Sequence, residues 1–210
     1  MFISVINKKD VHDQPYSPIR GTDLCEVVMA TGQNGPRMIT NRDLVRLKRT
    51  DEEALEAAEL QTEKMKCTAR SLQETLGLDL QKAGFTEGFS DEAAMTFDSL
   101  RDVYVLTNEA NSYGASALTR TDVLRDLYSK IGEFYILPSS RHEVLAISTS
   151  WGVCIEDLRE MVMVINQKDV RPEDWLSDQV FVFDGRTFSM ENDNKMTVSE
   201  DKSEYEGKVI

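Results

Sequence analysis

Histidine and cysteine are scarce in this 210-residue chain. There are two histidines, His12 and His142, and three cysteines, Cys25, Cys67 and Cys154. The cysteines form no Cys-x-x-Cys pair, and an odd number leaves one over in any disulfide scheme. Zinc needs closely spaced Cys and His ligands, so no metal centre is expected, and no cofactor. The thiols stand among apolar neighbours and read as buried and reduced, as in a cytoplasm. Long apolar runs are missing too. No run of 18 apolar residues exists, so no membrane-spanning helix is expected. No basic segment followed by an apolar stretch opens the chain, so a secretory signal is not expected. Basic residues are in deficit: 24 Lys and Arg stand against 37 Asp and Glu, for a net charge of −13. Direct binding to nucleic acid or to an anionic membrane runs on Lys and Arg, so neither is expected.

What is present suits a globular protein. Apolar residues make up 40% and charged residues 29%, and the mean hydropathy is −0.39. The length allows one domain or two small ones with a sizeable core. The acid is uneven along the chain. Residues 1–50 carry +3, residues 51–100 carry −8, residues 101–150 carry −1 and residues 151–210 carry −7. Two acidic zones flank a nearly neutral centre. Such zones are solvated faces, or they imitate the phosphate track of a nucleic acid.

The pattern of apolar residues suggests strands at 2–6, 24–31 and 37–40, with a turn at Gly32–Pro36 and a short helix over 42–48 that buries Leu44, Val45 and Leu47. A long helix is expected from Asp51 to about Leu76. Thr50 and Glu53 have capping-box spacing, Ala54, Ala58, Met65, Ala69 and Leu72 fall near one stripe, and Gly77 follows. Residues 77–100 are weakly patterned. Strands are then expected at 103–107, 115–118, 133–137, 143–147 and 180–183, the fourth pairing with the third as a hairpin. Helices are expected at 121–131 and at 155–166, the second burying Leu158, Met161, Val162 and Ile165. The fold class is α+β, with mixed sheets packed against helices in two sub-blocks. These are residues 1–83, containing the long helix 51–76, and residues 103–184. A linker at 84–102 joins them, and a disordered acidic tail follows from 185 to 210.

The best chemical cluster is Pro138-Ser139-Ser140-Arg141-His142-Glu143. A nucleophilic enzyme would activate Ser139 or Ser140 through His142, with Glu143 orienting the ring. Neighbours on a strand point to opposite faces, however, and the Gly-x-Ser-x-Gly elbow is absent. The alternative is a hairpin turn whose serines bond local backbone and whose His142 closes a polar contact. Gly32-Gln33-Asn34-Gly35 lacks the Gly-Lys-Ser/Thr ending of a phosphate loop, and the second His of a His-Glu-x-x-His site is missing. Ser177 and Asp178 read as backbone-bonding turn residues, with a metal-ligand role for Asp178 as the sharper alternative. Arg37, Arg42, Arg46, Lys48 and Arg49 read as a solvated face paired with nearby acids. Glu52, Glu56, Glu59 and Glu63 line the outer face of the long helix, and Trp151 and Trp175 flank the last one. These six are the candidate partner-binding residues.

The runs Tyr104-Val105-Leu106-Thr107-Asn108, Gly114-Ala115, Phe134 to Ser140 and His142-Glu143-Val144 resemble an uncharacterised family. So do Leu158 to Val162, Asn166 and Leu176-Ser177-Asp178-Gln179-Val180, and more weakly Ile6-Asn7-Lys8-Lys9 and Asp23-Leu24. It is a domain-of-unknown-function family from gut anaerobic Firmicutes and their mobile elements. The resemblance implies no activity. The expected function is a cytoplasmic, non-enzymatic acidic interaction protein encoded by a phage or mobile element. Its partner would be a protein, in the sharpest case a host nucleic-acid enzyme inhibited in the manner of an anti-CRISPR or other anti-defence protein. The rival expectations are a hydrolase centred on Ser139, Ser140, His142 and Glu143, and a structural subunit of a larger assembly.

Overall fold

The structure, a computed structural model, describes residues 1–75, 102–138 and 140–190. The first sheet is built on β1 (Phe2–Asn7), β2 (Tyr16–Pro18), β3 (Leu24–Gly32) and β4 (Gly35–Met38), with β3 pairing all three others antiparallel. The β3–β4 hairpin closes over Gln33 and Asn34, and Gly35 takes the positive φ of 99° that its exit requires. Two helices follow, α1 (Asn41–Leu47) and α2 (Asp51–Glu63), each opened by a full capping box, Thr40 with Asp43 and Thr50 with Glu53. Ile3 and Val28 of the sheet close a core with Ile39, Leu44, Ala54 and Ala58. The alanines let α2 lie close on β1.

The second sheet has the order β10-β9-β7-β8-β6-β5, antiparallel throughout. Its strands are β5 (Cys67–Ser71), β6 (Val103–Asn108), β7 (Phe134–Leu137), β8 (Val144–Ser148), β9 (Phe181–Phe183) and β10 (Phe188–Met190). A short α3 (Leu72–Thr75), α4 (Thr121–Ile131) and α5 (Ile155–Lys168) complete the helices described. Strand alternation sorts the side chains. Phe134, Ile136, Val144 and Ala146 face Leu124 and Leu127 of α4, whereas Leu137 and Ile147 face Leu158 and Val162 of α5. The α4 side also takes in Val5 and Leu24 of the first sheet. The two sheets therefore share one core, although the architecture is the expected α+β.

Several local expectations change. The helix from Asp51 stops at Glu63, and residues 67–71, expected as its continuation, form the edge strand β5, so the 1–83 block donates a strand to the second sheet. The cause is long-range. Thr62 Oγ1 donates to Ala58 O (2.8 Å) and accepts the Ile3 N–H (2.8 Å), while the Arg120 guanidinium donates to Thr62 O (3.2 Å) and Met65 O (2.8 Å). A cation thus caps the helix C-terminus from a distant segment. Residues 115–118, expected as a strand, lie in a buried 3-10 turn (Gly114–Thr119). Both sheets are antiparallel rather than mixed among the described residues. Val45, Leu47 and Met161, expected inward, are 78%, 52% and 40% exposed. Residues 188–190, placed in the tail, pair with β9 as β10. The 77–100 stretch and the tail beyond 190 lie outside the described residues, apart from the end of that linker at Asp102.

Candidate functional site

The hairpin turn between β7 and β8 brings His142 into a dense polar node. Its Nδ1 accepts the Tyr113 N–H (3.2 Å), so its proton sits on Nε2, which donates to Asp174 Oδ1 (2.9 Å). Tyr113 is held in a left-handed turn (φ 54°) and its ring leans on the imidazole at 5.5 Å. The next residue must be glycine. A Cβ on Gly114 would sit 2.2 Å from Thr107 Oγ1 and 2.4 Å from His142 O, the two atoms that already bond at 2.9 Å. Asp174 is buried. Besides His142 it takes Arg171 Nε (2.8 Å), and its backbone carbonyl accepts the Arg141 N–H (2.8 Å). Burial pushes its carboxyl upward, but the hydrogen bonds from Arg171 and His142, with the Arg171 charge, outweigh it and hold the group below the ordinary aspartate range.

This geometry assigns roles to the expected catalytic cluster. Ser140 Oγ accepts the His142 backbone N–H (3.1 Å) and makes no contact with the ring, and Ser140 bridges to Trp175 through backbone. Glu143 is exposed and does not orient the imidazole. Asp174 does that instead. Ser139 lies outside the described residues. Both ring nitrogens of His142 are hydrogen-bonded, Nδ1 to the Tyr113 N–H and Nε2 to Asp174. The local-turn alternative describes Ser140 and His142 as they stand.

The node continues into the 171–179 loop. Asn7 Nδ2 donates to Asp23 Oδ2 (2.8 Å) and Leu176 O (2.9 Å), and Ser177 Oγ also donates to Asp23 Oδ2 (2.9 Å). Asn166 of α5 donates to Ser177 O (3.0 Å) and Asp178 Oδ1 (2.7 Å). Asp178 Oδ1 accepts the Trp175 indole N–H as well (3.0 Å), so this oxygen faces donors rather than a cation. Lys9 Nζ sits 3.4 Å over the Trp175 ring. Trp175 is half-buried, whereas Trp151 is exposed. Most segments that carry the family resemblance meet here: 6–9, 23–24, 114–115, 138, 140, 142–143, 166 and 176–180. Sequence reading missed Asn7, Asp23, Arg171 and Asp174 as members, because their partners lie far away along the chain. Among the described residues no three His, Cys, Asp or Glu come together as a metal site.

The acidic residues sit elsewhere. Glu52, Glu56, Glu59 and Glu63 are all exposed, and none has an ion-pair partner among the described residues. Their spacing puts them within about 60° of arc over about 16 Å of α2. Glu59 and Glu63 line a groove of about 560 Å³ with Glu26 of β3 and with Arg120 and Asp122. Burial, then the nearby Glu59, pushes the Glu26 carboxyl above its ordinary range, and a Ser17 hydrogen bond partly offsets this. Glu56 lines a shallower groove with Lys48 and Arg49. Arg37 pairs with Asp43 at 2.7 Å, as expected of the basic face, but Arg42, Arg46, Lys48 and Arg49 are exposed without ion pairs among the described residues. Of the thiols, Cys25 is buried, Cys67 half-buried and Cys154 exposed, which corrects the expectation of three buried thiols. Among the described residues no helix is long and apolar enough to cross a membrane.

No curated protein and no solved structure matches this chain. A family model does, over residues 7–185, from the Asn7 that ties the first sheet to the 171–179 loop to the Gly185 that ends β9's turn. The chain belongs to a family of unknown function, DUF5688.

Proposed function

We propose that this protein works by binding rather than by catalysis, and that its partner is a protein with a basic surface. The observation that carries the reading is the row of four exposed carboxylates on α2, without ion pairs among the described residues and continued into a groove by Glu26. Like charges on one face repel one another, and burial together with the nearby Glu59 raises the Glu26 carboxyl above its ordinary range. A cationic partner relieves that repulsion, so the face is poised for one. His142 supports the same reading from the other side, since its nitrogens are committed to structure. In its most specific form, the partner is a nucleic-acid enzyme, and the carboxylate row occupies the groove where phosphates would lie, as an anti-defence inhibitor would. Rim contacts of this kind speed association and weaken with salt.

The test is affinity capture from a bacterial lysate at low salt, comparing the natural chain with a variant carrying Gln at 52, 56, 59 and 63. The expected result is a basic protein held by the natural chain, lost from the variant, and displaced by duplex DNA. Capture that ignores the four substitutions would overturn the assignment of this face. Capture that DNA does not displace would overturn the nucleic-acid form of the proposal.

A further inference from the structure

The outer side of α5 carries three exposed apolar side chains among the polar Glu156, Glu160 and Gln167. Met161, Met163 and Val164 are 40%, 45% and 41% exposed, while Leu158 and Val162 on the inner side are buried. Two of the charges around that patch, one acid and one base, are placed symmetrically about it. Asp157 and Lys168 are exposed, and neither has an ion-pair partner among the described residues. Asp157, Met161, Val164 and Lys168 follow at i, i+4, i+7 and i+11, within about 60° of arc on one side of the helix. The midpoint between positions 161 and 164 is also the midpoint between positions 157 and 168.

From this we infer that α5 pairs with α5 of a second copy, antiparallel about a two-fold axis between Met161 and Val164. Such an axis sets Met161 against Val164 of the second copy and Asp157 against Lys168 of the second copy, twice over. A closed two-fold interface must be self-complementary in this way, acid to base about an apolar centre. A foreign partner would have no reason to place its demands symmetrically. The antiparallel arrangement also sets the helix dipoles in opposition, and methionine adapts to a contact of modest shape complementarity. One helix pair is below the size of a standard interface, so the association is weak and sensitive to salt. The surface is distinct from the carboxylate face of α2, so the inference stands or falls independently of the proposed function.

Sedimentation velocity on the full chain, from micromolar to sub-millimolar concentration, tests it. The natural chain is expected to show reversible dimerisation. Asp157→Lys and Lys168→Asp each set like charges against each other and weaken self-association about tenfold. Mixing the two variants in equal amounts restores the dimer, because each then meets the opposite charge. All four positions are exposed, so far-UV circular dichroism should be the same for every chain. A natural chain that stays monomeric throughout overturns the inference. So does a dimer that either substitution leaves unchanged, or a mixture of variants that stays monomeric.

Discussion

Replacing Asp174 with alanine removes the centre of the polar node while leaving its backbone in place. Two side chains, His142 and Arg171, lose their acceptor, and Arg141 loses a nearby opposite charge. His142 Nε2–H loses a 2.9 Å bond to a carboxylate in a site where Asp174 is only 8% exposed. A bond to a charged partner contributes about 1.5–3 kcal/mol. Arg171 loses contacts of 2.6 and 2.8 Å, but its side chain is 70% exposed, so water replaces most of that and the loss is about 1 kcal/mol or less. Arg141, with its side chain 18% exposed, keeps its charge near the vacated site, its Nε formerly 3.8 Å from the carboxylate. The sum is a loss of about 2–4 kcal/mol. Urea unfolding followed by circular dichroism reads this as a midpoint lowered by about 1–2 M, for a slope near 2 kcal/mol/M that stays unchanged. The pH dependence gives a second check. The folded-state carboxyl lies below its ordinary value, so its stabilisation is present in full above about pH 4 and fades as pH falls through the folded-state value. The gap between the natural chain and Asp174→Ala must therefore close in acid. A loss under about 0.5 kcal/mol at pH 7, or a gap that persists unchanged to pH 3, would refute the reasoning.

Other consequences can be measured with the same assays. Glu26→Gln should raise the urea midpoint at pH 7. The raised folded-state pKa means that the ionised carboxyl costs stability, and this cost grows as pH rises through that value and vanishes below the ordinary glutamate range. Equal midpoints at pH 7 would count against a repulsive groove. Thr62→Val keeps the shape but strands the Ile3 N–H, which should cost about 1–3 kcal/mol in the same titration. Thiol titration of the native chain should show Cys154 reacting fast and Cys25 only on unfolding, because burial pushes the Cys25 thiol up to about 11. Three equally fast thiols would contradict the burial of Cys25.

The elements that were legible from sequence are those whose causes are local. Thr50 with Glu53 starts α2 where the capping box says, Gly132 ends α4, and the strands expected at 133–137 and 143–147 pair as the β7–β8 hairpin. The failures have distant causes. Met65, Ala69 and Leu72 extend the apolar stripe past Glu63. What stops the helix is Arg120, 58 residues from Thr62, together with the Ile3 N–H. Likewise 115–118 has the composition of a strand. Its backbone is instead turned inward by Tyr113 in a left-handed conformation and by the Ala115 N–H bonding Arg141 O (3.1 Å).

The same division explains why the candidate site was half legible. Ser140, His142 and Glu143 attract notice because they are adjacent in sequence, yet adjacency on a turn says little about which atoms meet. His142 is indeed at the centre of the node, but the group that fixes its ring is Asp174, 32 positions on. Once its partners are known, the histidine's chemistry is accounted for. The same test sorts the rest of the polar surface. Asn7, Asp23, Ser177, Asn166 and Trp175 have internal partners that explain their positions. Glu52, Glu56, Glu59 and Glu63, and Asp157 with Lys168, have none among the described residues, although each carries a charge. A charge without an internal partner contributes little to the fold, so substituting it costs little stability. Any loss of binding on substitution at these positions therefore reports on a partner, which makes α2 and α5 the two faces where function can be measured apart from folding.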